Sequence, residues 1–317
     1  MMKNLENKIL IVDSVHDFLL KELKKADFSC IYSPEITKSE IENKIYDCFG
    51  IVLRSKIGVD SNLIDKAKKL KFIARIGSGM ENIDVKYAEK KGISCINSPE
   101  GNRDAVGEHA LGLLLSLLKN INKADKQIKN KIWNRKENKG MEISGKTIGI
   151  IGYGNTGSAF AKRLSGFDAK ILAYDKYKKK YSDKYVTESS ISTLFSEADI
   201  LSIHLPLTSE THYMVDDNFL NKFKKNIFLI NTSRGQIIKT DDLVKNIKSG
   251  KIRGAALDVL EYENSAFENL NKINNKSFKY LINSDKVILT PHIAGQTEES
   301  ALKHAEVILK KIRNKFK

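Results

Sequence analysis

The sequence predicts an α/β chain of two domains, and three observations carry that prediction. Short β-branched runs alternate with amphipathic stretches from end to end, the pattern of parallel sheets covered by helices. One such run, in TIGIIGYGNTG at 147–157, passes straight into G-x-G-x-x-G. A long apolar stretch without proline, residues 102–128, parts the runs into two series.

The first series reads KILIVD, FSCIY, GIVLRS, KFIARIG and ISCIN, and gives a first domain over roughly residues 1–100. Residues 102–128 contain AVGEHALGLLLSLL, apolar on most faces, so one long buried helix is expected there. The second series continues from TIGII through KILAYD, DILSIHLP, NIFLINTSRG, IRGAALDVL and KVILTPHIAG, and gives a second domain over roughly residues 101–287. Residues 264–285 are polar and asparagine-rich and read as an irregular excursion with room for a short helix. Residues 297–317 are helical in pattern, with Thr297 as the cap. They are expected to return to the first domain, which residues 288–317 then complete.

The glycine motif has a mechanical reading. Gly152 permits a tight turn, Gly154 lets the backbone approach a pyrophosphate, and Gly157 lets the following helix pack on the strand. The amides of Asn155 and Thr156 open that helix, where unpaired N–H groups and the helix dipole favour an anion. Asp175 stands about 20 residues on, at the end of KILAYD, where a carboxylate accepts both adenosine ribose hydroxyls and repels a 2′-phosphate. A Rossmann domain binding NAD is therefore predicted. Lys176 and the lysines at 178–180 are the opposing feature, since they can hold a 2′-phosphate; a solvated basic loop is the plainer reading.

Composition narrows the class. Hydrophobic residues make up 41% and charged residues 29% of the chain, as in folded globular proteins. No apolar run approaches the roughly 20 residues that span a bilayer, and MMKNLENKILIVD lacks the apolar core of a signal peptide, so a cytoplasmic protein without a membrane partner is expected. The net charge of +15 is spread along the chain without aromatic-basic alternation, which argues against nucleic acid. Cys30, Cys48 and Cys95 read as reduced packing residues, and no disulfide is expected. His16, His109, His204, His212 and His304 lack metal-ligand spacing, and no metal is implied.

Open α/β sheets place ligands at the carboxyl ends of their strands. Three strand ends of the second series carry chemistry: Arg234 after NIFLINTS, Glu263 after AALDVLEY and His292 after KVILTP. Arginine clamps a carboxylate with paired hydrogen bonds, histidine moves protons near neutral pH, and a neighbouring carboxylate orients the ring and stabilises its protonated form. Glu261 is a competing acid.

With GYGNTG, HLPLT, NTSRG, ALDVLEYE and PHIAG in this order over essentially the whole length, the chain resembles the D-isomer-specific 2-hydroxyacid dehydrogenases. The resemblance implies a flavodoxin-like substrate domain beside the Rossmann domain. It also implies Arg234 as substrate clamp, His292 as proton donor or acceptor and Glu263 as its partner. Asp258 is implied to hold the nicotinamide carboxamide, Leu205, Pro206 and Thr232 to line the cofactor cleft, and His204, within HLPLT, to lie towards the cofactor. Many relatives carry proline after the catalytic glutamate, where this chain has Asn264.

In the first domain, Arg75 precedes Gly77, Ser78 and Gly79, a turn whose amides suit an anion, and Arg54 ends the preceding strand. In the family this turn meets the substrate carboxylate. The two arginines suggest a second anionic group, which makes oxidation of 3-phosphoglycerate to 3-phosphohydroxypyruvate, a step of serine biosynthesis, the leading expectation. Pairing of the arginines with Asp60 or Glu81 is the alternative. A reductase of glyoxylate, hydroxypyruvate or another small 2-oxo acid comes second, and a non-catalytic NAD-sensing, corepressor-like protein third. A short form is expected, without the regulatory domain of longer phosphoglycerate dehydrogenases. A homodimer is expected, formed through residues 102–128 and the Trp133 segment.

Overall fold

The structure is a computed structural model that describes residues 7–263 and 275–316. The chain divides into two compact units, Met1–Arg103 with Gln296–Lys317, and Asp104–Gly295.

The first unit is built on strands β1 Lys8–Ile11, β2 Ser29–Tyr32, β3 Gly50–Leu53, β4 Phe72–Arg75 and β5 Ser94–Ile96, paired in parallel in the order β2-β1-β3-β4-β5. This is the flavodoxin-like order. Alternation along β1 sorts its side chains: Ile9 and Ile11 enter one core with Leu19, Leu23, Ile308 and Ile312, while Leu10 enters the other with Ile41, Leu63 and Ala88. The helices on the sheet are α1 Asp17–Lys25, α2 Lys38–Lys44, α3 Ser61–Lys66 and α4 Val85–Lys90. His16 caps α1 with Nδ1, and Thr37 with Glu40 forms a capping box on α2. The free thiols Cys30, Cys48 and Cys95 pack here, and burial pushes each up to about 11.

The second unit begins with α5 Arg103–Leu118 and α6 Ile121–Lys129. These replace the single helix expected over 102–128. Asn120 sits at φ +55°, a left-handed conformation that asparagine tolerates and that ends one helix before the next begins. α5 is buried along most of its length, but α6 buries none of its residues. Ile121, Ile128, Ile132 and Trp133 are left exposed, Trp133 at 80%.

Strands β6 Thr147–Ile151, β7 Lys170–Tyr174, β8 Thr187–Glu188, β9 Ile200–Ile203, β10 Ile227–Asn231, β11 Ile252–Leu257 and β12 Val287–Leu289 form one parallel sheet in the order β12-β11-β10-β9-β6-β7-β8. The order reverses direction at β6, so the carboxyl ends of β6 and β9 flank a topological switch point. The edge strand β8, two residues long, carries no hydrophobic run that would announce it. Helices α7 Asn155–Arg163, α8 Ile191–Glu197, α9 Asp217–Asn221, α10 Thr240–Lys248 and α11 Lys276–Asn283 complete the unit. Of the polar excursion, residues 264–274 lie outside the described residues, and the part that follows is α11, capped by Asn275. The final helix α12 Glu298–Phe316 belongs to the first unit; Thr297 Oγ1 caps it at Ser300 N, and Arg313 pairs with Glu22 of α1. Among the described residues no helix is long and apolar enough to cross a membrane, and no group of His, Cys, Asp and Glu is placed to hold a metal.

Candidate active site

β6 delivers the chain into Gly152 at φ +91°, where a Cβ would stand 2.2 Å from the His204 carbonyl oxygen. At Gly157 a Cβ would stand 2.1 Å from the Gly152 carbonyl oxygen, so α7 closes directly on the turn. Gly154 is the reverse case, with open space where its Cβ would be, and no side chain caps α7. The amides of Asn155 and Thr156 thus open a helix whose N-terminus is ready for an anion.

His204 braces this loop from beneath, where the resemblance had put it towards the cofactor. Its ring is buried, bonded to Ser202 Oγ at 2.8 Å and Thr156 Oγ1 at 3.2 Å, and packed on Phe160. Burial pushes its pKa down to about 3, so the ring is neutral. Beside the loop, Asp175 accepts the amides of Tyr153 at 2.9 Å and of Tyr177 and Lys178 at 3.0 Å. Partial burial works to raise its pKa, but these three amides outweigh burial and hold the carboxyl below its ordinary range. Lys176 pairs with Glu210 and Lys178 donates to the Tyr153 carbonyl, so neither lysine is left open for a phosphate. At the ends of β9 and β10, Leu205 N donates to Ser233 Oγ, and Thr232 Oγ1 is buried without a partner. A hydroxyl orphaned at the carboxyl end of β10, an uncapped helix and an open glycine are the features a dinucleotide would complete.

The acid–base pair lies on the same sheet edge. Glu263, just beyond β11, places Oε2 2.7 Å from His292 Nδ1, and its other oxygen accepts Leu260 N. An ionised carboxylate only accepts, so Nδ1 carries the hydrogen of this bond. The competing Glu261 is tied elsewhere, to the Tyr213 hydroxyl at 2.6 Å and to Thr240 N at 2.8 Å. His292 adopts φ +54°, a conformation that non-glycine residues hold only when their surroundings enforce it.

Asp258 enforces it. Its carboxylate is wholly buried and accepts Thr290 Oγ1 at 2.6 Å, Ile293 N at 2.9 Å and Ala294 N at 2.8 Å, while its carbonyl accepts His292 N at 2.8 Å. His109 joins the cluster through Thr290 Oγ1. Asp258 thus anchors the 290–294 loop, a role the sequence did not announce. Arg234 follows β10, with Asn231 Nδ2 on its carbonyl and its own Nη1 on Ser233 O at 2.7 Å.

In the first unit the turn Gly77, Ser78, Gly79 is held at almost every polar atom. Arg75 donates Nη1 to Gly79 O at 2.8 Å and Nε to Arg54 O at 3.1 Å. Its guanidinium thus splints the turn through Nε and Nη1. Asn97 donates to Ser78 O, Ser78 Oγ bonds Asn102, and Ser98 takes both the amide and the carbonyl of Gly77. The amides of Ser78 and Gly79 take no partner among the described residues and form a nest for an anion. Arg54 is exposed, and its side chain takes no partner among the described residues. Asp60, the suggested partner, caps α3 and lies near Lys38. Sequence reasoning missed Asn97, Ser98, Asn102 and Ser202; the polar NSPEGN run after β5 was the available signal for three of them.

A dinucleotide loop and a carboxylate-held histidine on one sheet edge define a nicotinamide-dependent oxidoreductase. The model of the D-isomer specific 2-hydroxyacid dehydrogenase NAD-binding domain matches residues 111–294. The chain is 37% identical to a hydroxypyruvate reductase of Thermotoga maritima, over 89% of both chains. It is 36% identical to a D-3-phosphoglycerate dehydrogenase of Methanocaldococcus jannaschii over 96% of its own length, but spans only 57% of that enzyme. A D-lactate dehydrogenase structure from Aquifex aeolicus, solved with NAD and lactic acid, superposes with a TM-score of 0.82 at 29% identity over 97% of this chain and 94% of that one. The chain belongs to the D-isomer-specific 2-hydroxyacid dehydrogenase family, and NAD is its cofactor.

Proposed function

We propose that this chain interconverts a short 2-oxo acid, of the size of hydroxypyruvate or glyoxylate, and the corresponding D-2-hydroxy acid. The observation that carries the reading is the 2.7 Å bond between His292 and Glu263 on the sheet edge that also holds the glycine loop. When bound, the nicotinamide supplies or accepts the hydride at C2 of the substrate. Glu263 holds the imidazole by Nδ1, so Nε2 gives a proton to the substrate's carbonyl oxygen or takes one from its hydroxyl. Arg234 donates to the carboxylate and polarises the carbonyl. Within the first unit the Ser78 and Gly79 amides offer a turn to a carboxylate; within the second, Asp175 accepts the ribose hydroxyls, and Leu205, Pro206 and Thr232 line the dinucleotide's path.

Oxidation of 3-phosphoglycerate, first in the sequence reading, depends on a second cationic site. Of the two arginines behind it, Arg75 is engaged with the turn and Arg54 alone has an exposed side chain without a partner among the described residues. That favours the unphosphorylated substrate and keeps the phosphorylated one as a second reading, resting on Arg54. Turnover with NADH on hydroxypyruvate, glyoxylate and phosphohydroxypyruvate tests the choice. Higher kcat/KM on an unphosphorylated acid is expected. A tenfold preference for phosphohydroxypyruvate that disappears in Arg54→Ala would reverse the assignment.

The apolar side chains that α6 and Trp133 leave in solvent support a homodimer formed through this segment. Light scattering should give twice the chain mass of 35.8 kDa.

A further inference from the structure

Behind the unit-one turn lies a buried polar pair that the reaction as described does not use. Ser98 is fully buried, and His304, on α12, is 6% exposed. Ala305, next to His304 in the chain, and Ile308, one turn on along α12, belong to the apolar core of the sheet. Polar groups in such a place destabilise the fold unless their hydrogen bonds are made. Here they are made to each other and to Gly77. Gly77 N donates to Ser98 Oγ at 3.1 Å, and Ser98 Oγ lies 2.7 Å from His304 Nδ1. The hydroxyl still has its own hydrogen and a second lone pair, so the tautomer sets the direction of this bond; with the ring hydrogen on Nε2, Nδ1 accepts the hydroxyl hydrogen.

The ring is fixed as well. A Cβ at Gly101 would stand 2.4 Å from Nδ1, so only glycine lets the backbone close over the imidazole at that point. Ser98 N donates to Gly77 O at 2.9 Å, so a single residue grips both polar atoms of Gly77. Gly77 sits at φ +153°, a backbone state that needs such restraint, and the next two amides are the unpartnered ones.

We propose that Ser98 and His304 are positioning residues for the carboxylate-binding turn: the neutral imidazole orients the Ser98 hydroxyl, which holds Gly77 so that the Ser78 and Gly79 amides converge on the substrate. This rests on the reading that those amides receive the carboxylate. Burial disfavours the protonated ring first and outweighs a hydrogen bond to the Ser98 backbone that favours it; Arg54 and Arg75 disfavour it further, and Glu100 opposes them. Protonation would put a second donor on the Ser98 oxygen in place of an acceptor, and the hydroxyl hydrogen would lose its partner.

The test uses the whole enzyme with NADH and its best 2-oxo acid. Ser98→Ala and His304→Leu should each raise KM for the oxo acid by about tenfold, the loss of one hydrogen bond, with kcat within about twofold and NADH affinity unchanged. His304→Asn, which keeps an acceptor near the Nδ1 position, should recover most of that loss. Unchanged KM in both removal variants overturns the proposal, and so does a general loss, with kcat and NADH affinity falling as KM rises, that follows the melting temperature. Ser78→Pro, which deletes one nest amide, is compared with Ser78→Ala, which deletes only the hydroxyl. If the proline variant matches the alanine variant in KM, the turn does not bind the carboxylate and the underlying reading fails; if it is worse while Ser98→Ala is silent, only the positioning role fails. Should the removal variants not fold, ¹⁵N-histidine spectra of the wild type decide: Nδ1 of His304 without hydrogen at pH 7 is expected, and a protonated Nδ1 overturns the proposal.

Discussion

Each unit carries one glycine turn with unpartnered amides, and behind each stands a buried serine–histidine pair, yet the two are built differently. In the second unit the amides open α7, and the helix itself aligns them; His204 only pins the Thr156 side chain at the first turn. In the first unit no helix begins at Gly77. The amides of Ser78 and Gly79 keep their direction because Arg75, Asn97 and Ser98 hold the surrounding atoms and Asn102 holds the Ser78 hydroxyl. A helix N-terminus is a local device, whereas a bare turn needs a scaffold gathered from several strands.

The largest expected effect lies outside both turns and separates chemistry from bracing. His292→Ala should lower turnover by ~10²-fold or more while NADH affinity stays near wild type, because the proton donor is lost and the loop at Gly152 is untouched. Stopped-flow turnover with a parallel NADH titration measures both. Retained turnover would take His292 out of the mechanism.

A matched pair of glycine substitutions probes the comparison directly. Gly157→Ala puts a Cβ against the Gly152 carbonyl, which is backbone and cannot swing aside, so NADH affinity should fall by ten- to a hundredfold, about 1.4 to 2.8 kcal/mol. Gly77→Ala meets only the flexible end of Arg75, but the φ of +153° strains it; KM for the oxo acid should rise by about tenfold with NADH affinity intact. If each variant disturbed both ligands, the two turns would not be the separate devices described.

The same contrast explains what the sequence made legible. GYGNTG, Asp175 and the strand runs around them are local signals, and the element that each announces forms in place. Glu263 and His292 were legible as strand-end residues, and the structure joins them across 29 positions of chain. Three features were not legible. The break at Asn120 depends on a left-handed residue inside an apolar pattern that asparagine barely disturbs. Asp258 reads as an available carboxylate, and only folding shows the 290–294 loop wrapped on it. Arg75 reads as a free cation, but the carbonyls that take it come from its own turn and from a neighbouring strand.

Cofactor choice should sharpen the second-unit side. Asp175 is held ionised by three backbone amides beside the glycine loop, while Lys176 and Lys178 are engaged. NAD(H) should therefore bind at least tenfold more tightly than NADP(H), about 1.4 kcal/mol, and Asp175→Ser should narrow the gap. Titrating both dinucleotides into wild type and variant measures it; equal affinities in the wild type would mean that Asp175 does not face the ribose.

The smallest effect is one of stability against pH, and it separates the two histidines. Both have folded-state pKa values below the ordinary 6.5: about 4 for His304 and about 3 for His204, each chiefly through burial. A histidine whose folded pKa is depressed stabilises the fold fully above its unfolded pKa, and that stability is lost as pH falls from about 6.5, levelling off only below the folded value. Between pH 6.5 and 5.5 each ring should remove about 1 kcal/mol, since the unfolded chain binds a proton that the folded chain refuses. His304→Leu should flatten the first unit's share of this decline down to about pH 4, and leave the share of His204, which continues to about pH 3. Urea unfolding followed at several pH values on wild type and variant gives the slopes. If His304→Leu left the slope between pH 6.5 and 5.5 unchanged, the His304 ring would already accept a proton in the folded state, and the Ser98 hydroxyl would have no fixed acceptor.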